Sequence, residues 1–576
     1  MTALYTPWGE QLDRTCPLPE YPRPQLRRDS YLCLNGLWDY TVEDGDEYSR
    51  RRSGKILVPF SPESLLSGCD FRLQSGETLW YERTFTLPEG FRRDRVLLHF
   101  GAVDQCCRVL VNDRPVGGHE GGYLPFTLDI TGALVPGENR LTVAVTDDPE
   151  GGVHAFGKQR TDRGGIWYTA QSGIWQTVWL ESVPEAYIEK LNIENHGASV
   201  TISTVPPLEG TVSVEQLGQF PLENGRVTIA PEYPRFWCPD DPYLYRFTLE
   251  TAQDRVESYF AIRSLEIKKV GEYPRLCLNG KPWFFHGLLD QGYWPEGLLT
   301  APAPESYADD ILAMKNLGFN TLRKHIKVEP EEFYYQCDRL GMIVWQDMVN
   351  NGSYRYFRDT VLPTVGIQKR NDRRLHRDER SRNAFRQGAA DAVNQLKNHP
   401  CICYWTIFNE GWGQFDSDRV CRWFRTLDAT RFIDTTSGWF RGENTDVDSR
   451  HQYFGKLRLK GDGLRPLVLS EFGGKTWRVE GHIFNPDKTY GYGACPTKEA
   501  LNEAVAALYR ESILPAVEKG LCAAIYTQVS DVEDEVNGLM TYDRRVVKPD
   551  GDTMLPIAQA LRDAMEKTVA SFEKMG

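Results

Sequence analysis

The sequence predicts a multidomain β plus α/β chain, with two all-β sandwiches ahead of an eightfold (β/α) barrel. Three observations carry that prediction. The chain has 576 residues, more than one hydrophobic core serves, and this calls for about three to four domains. Its first part is written in short β-type runs separated by turn residues, whereas its second part alternates helical periodicity with short apolar strands. Hydrophobic residues make up 41% and aromatic residues 12% of the chain, enough apolar mass for packed cores and unlike a disordered or collagenous composition.

The first predicted domain covers residues 1–184. From Leu32 to about Pro184 the runs LNGLWDYTV, WYERTFTLP, RVLLHFGAV, CRVLVND, NRLTVAV and WQTVWLE read as strands of a sandwich. Residues 185–266 repeat the style at smaller scale in SVTISTV, RVTIAPE, LYRFTLE and VESYFAI, with Trp237, Tyr243 and Tyr245 expected in the core of one immunoglobulin-like module. Residues 267–576 change period. Tyr307, Ile311, Met314 and Leu317 fall at helical spacing, Gly318 can end the helix, and FNTLR follows as a buried strand. The unit recurs with the strands MIVWQDM, CICYWTIFNE, RFIDTTSG, RPLVLSE and LCAAIYTQ. A doubly wound open sheet is the competitor. The barrel is preferred because polar and acidic residues stand directly after several strands, where the βα loops of a barrel gather at one mouth.

Charge and composition narrow the partners. Lys and Arg total 67 against 80 Asp and Glu, a net charge of −13, which opposes binding to a phosphate backbone. The amino terminus lacks the basic start and apolar run of a secretory signal, and no apolar stretch approaches ~18 residues. The expectation is a cytoplasmic protein with no membrane or nucleic-acid partner. The 13 cysteines form no CxxC pair or zinc-site spacing and read as reduced, mostly buried thiols.

Two strand ends carry chemistry. CICYWTIF, residues 401–408, is almost wholly apolar yet runs straight into Asn409 and Glu410; PLVLSEFGG places Glu471 just after a buried strand in the same way. The two glutamates are 471 − 410 = 61 residues apart, enough to put them on different strands facing one mouth. Paired carboxyls suit glycosidic cleavage, because the leaving oxygen needs a proton while an anion stabilises or traps the oxocarbenium-like centre. The two must differ in environment so that one is an acid and the other an anion. Trp405, Trp412, Trp439 and Trp477 lie near these positions and offer faces for sugar rings. Asn409 can hydrogen-bond a sugar hydroxyl.

IFNEGWGQF around Glu410 and LSEFGG around Glu471 resemble glycoside hydrolase family 2, the group of β-galactosidases, β-glucuronidases and β-mannosidases. VPFSPES, WYERTF, VDQCCRVLVNDRPVGGHEGGYLPFTLDI and SGIWQTVWLE resemble that family's sugar-binding jelly roll, and FWCPDDPYLYRFTLE with YFAIRS its immunoglobulin-like sandwich. The resemblance covers nearly the whole chain. It implies that Glu410 is the general acid/base, that Glu471 is the nucleophile of a retaining mechanism, and that Tyr453 of HQYFG hydrogen-bonds the nucleophile. Asp290 and Gln291 stand where the family usually carries an asparagine and a His-Glu pair, a departure that bears on sugar recognition. Arg323 and His325 resemble residues after the second barrel strand, Asp347 matches an acidic position after the third, and Gln528 stands where a tryptophan often lines the pocket.

Other chemistries are disfavoured. GGKT at 473–476 lacks the first glycine of a phosphate loop, where Leu469 stands, and no HExxH, GxSxG or strand-bound GxGxxG appears. The run DVEDE at 531–535 reads as a solvated βα loop. No cofactor is required; a divalent ion through Asp347 and Glu410 is conceivable but is not part of the expectation. The expected activity is retaining exo-β-glycoside hydrolysis of a terminal nonreducing sugar, first of β-galactosidase type. The alternatives are β-glucuronidase, β-galactofuranosidase, arabinosidase, β-glucosidase or β-mannosidase, and in another class a noncatalytic carbohydrate-binding or sensing protein. An Asn-x-Lys clamp for a glucuronide is missing from the late barrel loops, since NGK at 279–281 precedes the first barrel strand. A homo-oligomer is compatible with the charge.

Overall fold

The computed structural model describes residues 2–44, 50–355, 357–364, 367, 372–440, 442–453, 455, 457 and 459–573. In the first domain a six-stranded antiparallel sheet runs in the order Arg50–Val58, Gly36–Asp44, Glu77–Thr86, Glu138–Thr146, Cys106–Val111 and Arg114–Glu120. A four-stranded sheet of Leu32–Cys33, Val178–Val183, Arg95–Phe100 and Phe126–Asp129 packs on it. Alternation explains the packing: Trp38, Val42, Leu79, Tyr81, Val109 and Val143 point inward to a shared core with Val96, Leu98 and Leu180. The second domain repeats this with three- and four-stranded sheets around Ile202, Val212, Phe247 and Leu249. Trp237 departs from expectation. It joins the barrel core, because its indole N–H donates to the Asp338 carbonyl at 2.7 Å. Tyr245 does lie in the sandwich core.

Eight parallel strands form the barrel: β1 (Phe285–Asp290), β2 (Thr321–Lys324), β3 (Ile343–Asp347), β4 (Ile402–Asn409), β5 (Phe432–Ser437), β6 (Asp448–Gln452), β7 (Leu467–Gly473) and β8 (Leu521–Thr527). Their hydrogen-bonded order is β5-β4-β3-β2-β1-β8-β7-β6. The ring is nearly closed, and side chains bridge the remaining seam, where Ser437 Oγ of β5 lies 2.9 Å from His451 Nε2 of β6. β4 is buried at every position, which accounts for its continuous apolar run. The principal helices are α1 (Pro304–Asn316), α2 (Glu331–Leu340), α3 (Glu379–Leu396), α4 (Ser417–Phe424), α5 (Lys498–Leu508) and α6 (Gly551–Glu573). α1 buries Tyr307, Ile311 and Met314 on one face, and Gly318 beyond its end has φ +88°.

The α/β rhythm is incomplete. Among the described residues no α-helix separates β5 from β6 or β6 from β7. β6 reads DSRHQ, with no apolar run; β7 supplies its ladder, and Arg450 Nη2 and the Asp462 N–H donate to Asp448 Oδ2 at 2.8 and 2.9 Å. The acidic run 531–535 is not solvated. Asp531, Glu533, Asp534 and Glu535 are all buried at the seam between barrel and first domain, where Lys548, Thr169, Arg163 and Tyr168 meet them. No helix among the described residues is long and apolar enough to cross a membrane.

Candidate active site

The strands' carboxyl ends converge on Glu410 and Glu471. Glu410 follows β4 directly and turns the chain with φ +50°, a conformation unusual for a residue with a Cβ and held here by its N–H bonding to the Ser437 carbonyl at 3.0 Å. β7 carries an irregularity at Ser470, so that Arg450 pairs with Leu469 while His451 pairs with Glu471. Such a bulge re-aims the side chains beside it. It brings one oxygen of Glu410, a nitrogen of His451 and one oxygen of Glu471 within 4.8 Å of one another.

Each carboxylate has its own environment. Glu410 Oε1 faces His451 Nδ1 at 2.8 Å. Glu471 Oε1 accepts from Arg323 Nη1 at 2.9 Å, and its Oε2 accepts a short hydrogen bond from the Tyr453 hydroxyl. Burial works to raise the Glu471 pKa, but His451, Arg323 and His325 together with the Tyr453 bond hold it below the usual carboxylate range. Burial, with Glu471 alongside, raises the Tyr453 phenol well above its ordinary value and keeps it a donor.

Arg323 organises this set from behind. Fully buried, it donates to both oxygens of Asp347 at 3.0 Å, to the Ser470 carbonyl at 3.0 Å and to Asn409 Oδ1 at 2.9 Å. Asp347 also faces His325 Nδ1 at 2.9 Å. Burial acts against the Asp347 anion, but Arg323 and His325 outweigh it and lower its pKa. Asn409 is thereby oriented with its Nδ2 unbonded.

The remaining expected residues separate into two groups. Asp290 lies at the mouth, its oxygens meeting Lys324 Nζ at 2.6 Å and the Gly292 N–H at 2.9 Å. Gln291 donates to Gln528 Oε1 at 2.8 Å and keeps its own Oε1 unpaired. Gln528 is fully buried and donates in turn to Asn537 Oδ1 at 2.9 Å, so with Arg323 and Asp347 it stands behind the wall and positions others. Trp405 is no sugar platform: it is fully buried, with its indole N–H on Asp428 Oδ2 at 2.9 Å and Phe424 against its ring. Trp412 lies 6.4 Å from the His325 ring and Trp439 lies 6.5 Å from His451, whereas Trp477 is half-buried.

Two site residues escaped the sequence. His451 was hidden in a polar stretch without strand character; its only signal was its place two residues before Tyr453. Lys158 comes from the first domain and carried no signal at all. The segment 153–177 crosses the barrel mouth, tied by Phe156 N–H to the Asn350 carbonyl at 3.1 Å, Tyr168 hydroxyl to Glu535 Oε2 at 2.5 Å and Thr300 hydroxyl to the Trp175 carbonyl at 2.7 Å.

The donor set does not suit the divalent ion weighed for Asp347 and Glu410, because both Asp347 oxygens are engaged by Arg323 and His325. Glu410, His451 and Glu471 are close enough to chelate. Yet Arg323 Nη1 stands 2.9 Å from Glu471 and 3.2 Å from His451, so a guanidinium already supplies the positive charge there.

A barrel with a carboxylate pair at its mouth, fronted by β-sandwiches, defines a glycoside hydrolase of the TIM-barrel class. The description "Glycosyl hydrolases family 2, sugar binding domain" matches residues 68–184, and "Glycosyl hydrolases family 2, TIM barrel domain" matches residues 269–460. The chain belongs to glycoside hydrolase family 2, as its motifs suggested, and a carbohydrate substrate follows from the first match. It is 26% identical over 462 residues to a β-glucuronidase of Paenibacillus borealis, covering 72% of this chain and 73% of that one. It is 24% identical over 414 residues to a β-galactosidase of Thermoanaerobacter pseudethanolicus, covering 65% of this chain and about half (51%) of that longer relative. The fold is shared with the β-D-glucuronidase of Dictyoglomus thermophilum (TM-score 0.71, 18% identity, 95% of this chain and 98% of that one). It is shared as well with a β-galacturonidase from Eisenbergiella tayi (TM-score 0.68, 19% identity, 94% and 98%).

Proposed function

We propose that the protein is a retaining exo-β-glycosidase that removes a terminal sugar by double displacement. The observation that carries this reading is the approach of Glu410 and Glu471 oxygens to within 4.8 Å. Carboxyls about 5–5.5 Å apart suit direct attack, whereas an inverting pair needs about 6.5–9.5 Å to admit water between them. Glu471, kept anionic, attacks the anomeric carbon while Glu410 gives its proton to the departing oxygen. Glu410, then a base, takes a proton from water as that water displaces Glu471. Tyr453 and Arg323 hold the nucleophile by its two oxygens, leaving little rotational freedom for it to lose on reaching the transition state. Asn409 Nδ2 and Gln291 Oε1 are unpaired and open to sugar hydroxyls, and Asp290, held by Lys324 and Gly292, stands beside them at the mouth. No metal enters these steps.

The β-galactoside expected from the sequence accords with one of the two relatives above. The other relative and both structures carry names for uronide-cleaving activities, which favours a second reading for the sugar. A panel of p-nitrophenyl β-glycosides, with the product anomer followed by NMR, tests the mechanism. The expected result is release of the β-anomer, lost by at least about 10⁴-fold in Glu471→Gln while the variant still binds substrate. Turnover of no glycoside, or substantial rate in that variant, would sink the proposal.

A further inference from the structure

The fully buried cations at the end of the second barrel strand each meet a carboxylate. Arg323 meets Asp347 and Glu471, Lys324 meets Asp290 and Glu329, and Lys327 meets Glu329. Lys158 meets none: among the described residues no carboxylate oxygen lies within 4.0 Å of its Nζ and no hydrogen bond leaves it. It is nevertheless only 6% exposed. Its ammonium lies over the Trp412 ring, 4.7 Å from the centroid, with the Trp167 ring at 5.7 Å. The Trp412 ring beneath it lies 6.4 Å from the His325 ring, which sets the ammonium among the groups that line the mouth.

The backbone that carries Lys158 is fixed. Its carbonyl accepts the Tyr168 N–H at 3.1 Å, and the next residue, Gln159, is held by Asp104 Oδ2 at 2.9 Å and the Tyr123 hydroxyl at 3.0 Å. A buried ammonium without a counter-charge is costly, and burial lowers its pKa. Asn409 Nδ2 and Trp412 Nε1 are donors without acceptors, whereas Gln291 Oε1 is an acceptor without a donor. Lys158 thus brings to the mouth a buried positive charge with no carboxylate in direct contact, which an acceptor-rich anion would complete.

We propose that Lys158, carried to the barrel mouth by the first domain, reads an anionic group on the sugar, and that the substrate is a β-linked uronic acid whose carboxylate pairs with this ammonium. The inference rests on the glycosidase reading above and narrows it. It places the specificity element outside the barrel, on the sandwich segment that crosses the mouth, in a sequence without the late-barrel Asn-x-Lys clamp.

The test uses the full-length protein with p-nitrophenyl β-D-glucuronide, β-D-galacturonide, β-D-galactoside and β-D-glucoside. Wild type is expected to prefer a uronide over its neutral counterpart at least 100-fold in kcat/KM. Lys158→Met should lower that ratio at least 50-fold, and Lys158→Arg should restore part of it. A preference for neutral sugars, a ratio unmoved by Lys158→Met, or cleavage of sulfated or phosphorylated sugars alone would overturn the assignment while leaving the glycosidase reading intact. Failure on every glycoside would instead remove that reading. Should Lys158→Met not fold, thermal shift of wild type by free D-glucuronate and D-galacturonate against D-galactose decides: stabilisation by a uronate alone supports the proposal, and none by either uronate refutes it.

Discussion

Replacing Tyr453 by Phe removes one hydroxyl and little else, since the ring stacks on Tyr492 at 4.1 Å and a phenylalanine keeps that contact. The lost bond is the one to Glu471 Oε2; the other neighbour of the hydroxyl, Thr527 Oγ1 at 3.2 Å, can turn to water or substrate. A hydrogen bond to a charged group is worth about 1.5–3 kcal/mol, which at about 1.4 kcal/mol per decade corresponds to a 10- to 150-fold change in rate. The direction follows from where charge develops. When the sugar leaves Glu471 in the second displacement, the carboxylate regains its negative charge, so the missing donor slows deglycosylation more than glycosylation. With a p-nitrophenyl substrate, kcat should fall within that range and KM with it. The first turnover should then release a burst of nitrophenol equal to the active sites, and the glycosyl-enzyme should be visible by intact mass. Loss of the donor also lets the Glu471 pKa rise, so the acidic limb of the rate profile should move to higher pH. A variant within threefold of wild type, with no burst and an unmoved limb, would show that Tyr453 does not act on the nucleophile.

Glu410→Gln should slow cleavage of poorly activated alkyl glycosides by about 10²–10⁴-fold and of nitrophenyl glycosides much less in the first step; an equal loss on both would argue against an acid role. In wild type the folded-state pKa of Glu471 is depressed, so its anion persists at neutral pH and is lost only as pH falls through that lowered value. The limb of kcat/KM that belongs to it should therefore lie below about 4.3, the ordinary glutamate value, and a Glu471 limb above it, measured in short assays with folding checked by circular dichroism, would contradict the assignment. Asp338 is fully buried and accepts from His399 Nδ1 at 2.7 Å, Tyr259 hydroxyl at 2.8 Å and Cys401 N–H at 2.8 Å. Asp338→Ala strands these partners between the second domain and the barrel and should cost about 3–5 kcal/mol, read as a lowered denaturation midpoint.

Much of this was legible in the chain itself. Strands buried on both faces, such as β4 and β7, announce themselves by unbroken apolar runs, and a glutamate at the end of such a run stands out because nothing else there is charged. The motifs around Glu410 and Glu471 pointed to the family for the same reason. β6 was not legible, because its polar residues find partners at other strands, Ser449 at Ser470 and His451 at Glu410. Nor was the burial of the acidic run 531–535, whose cations and hydroxyls belong partly to another domain.

Local pattern determined the order of sandwiches and barrel, the two glutamates and the strand ends that bear them, because periodicity and burial act over a few residues. Only the tertiary structure decided that Arg323, Asp347 and Gln528 stand behind the wall, that His451 faces Glu410, that Trp405 serves the core, and that Lys158 reaches the mouth from the first domain. Those are matters of which charge meets which across the seam, and a charge finds its partner through space, at distances that separation along the chain does not encode.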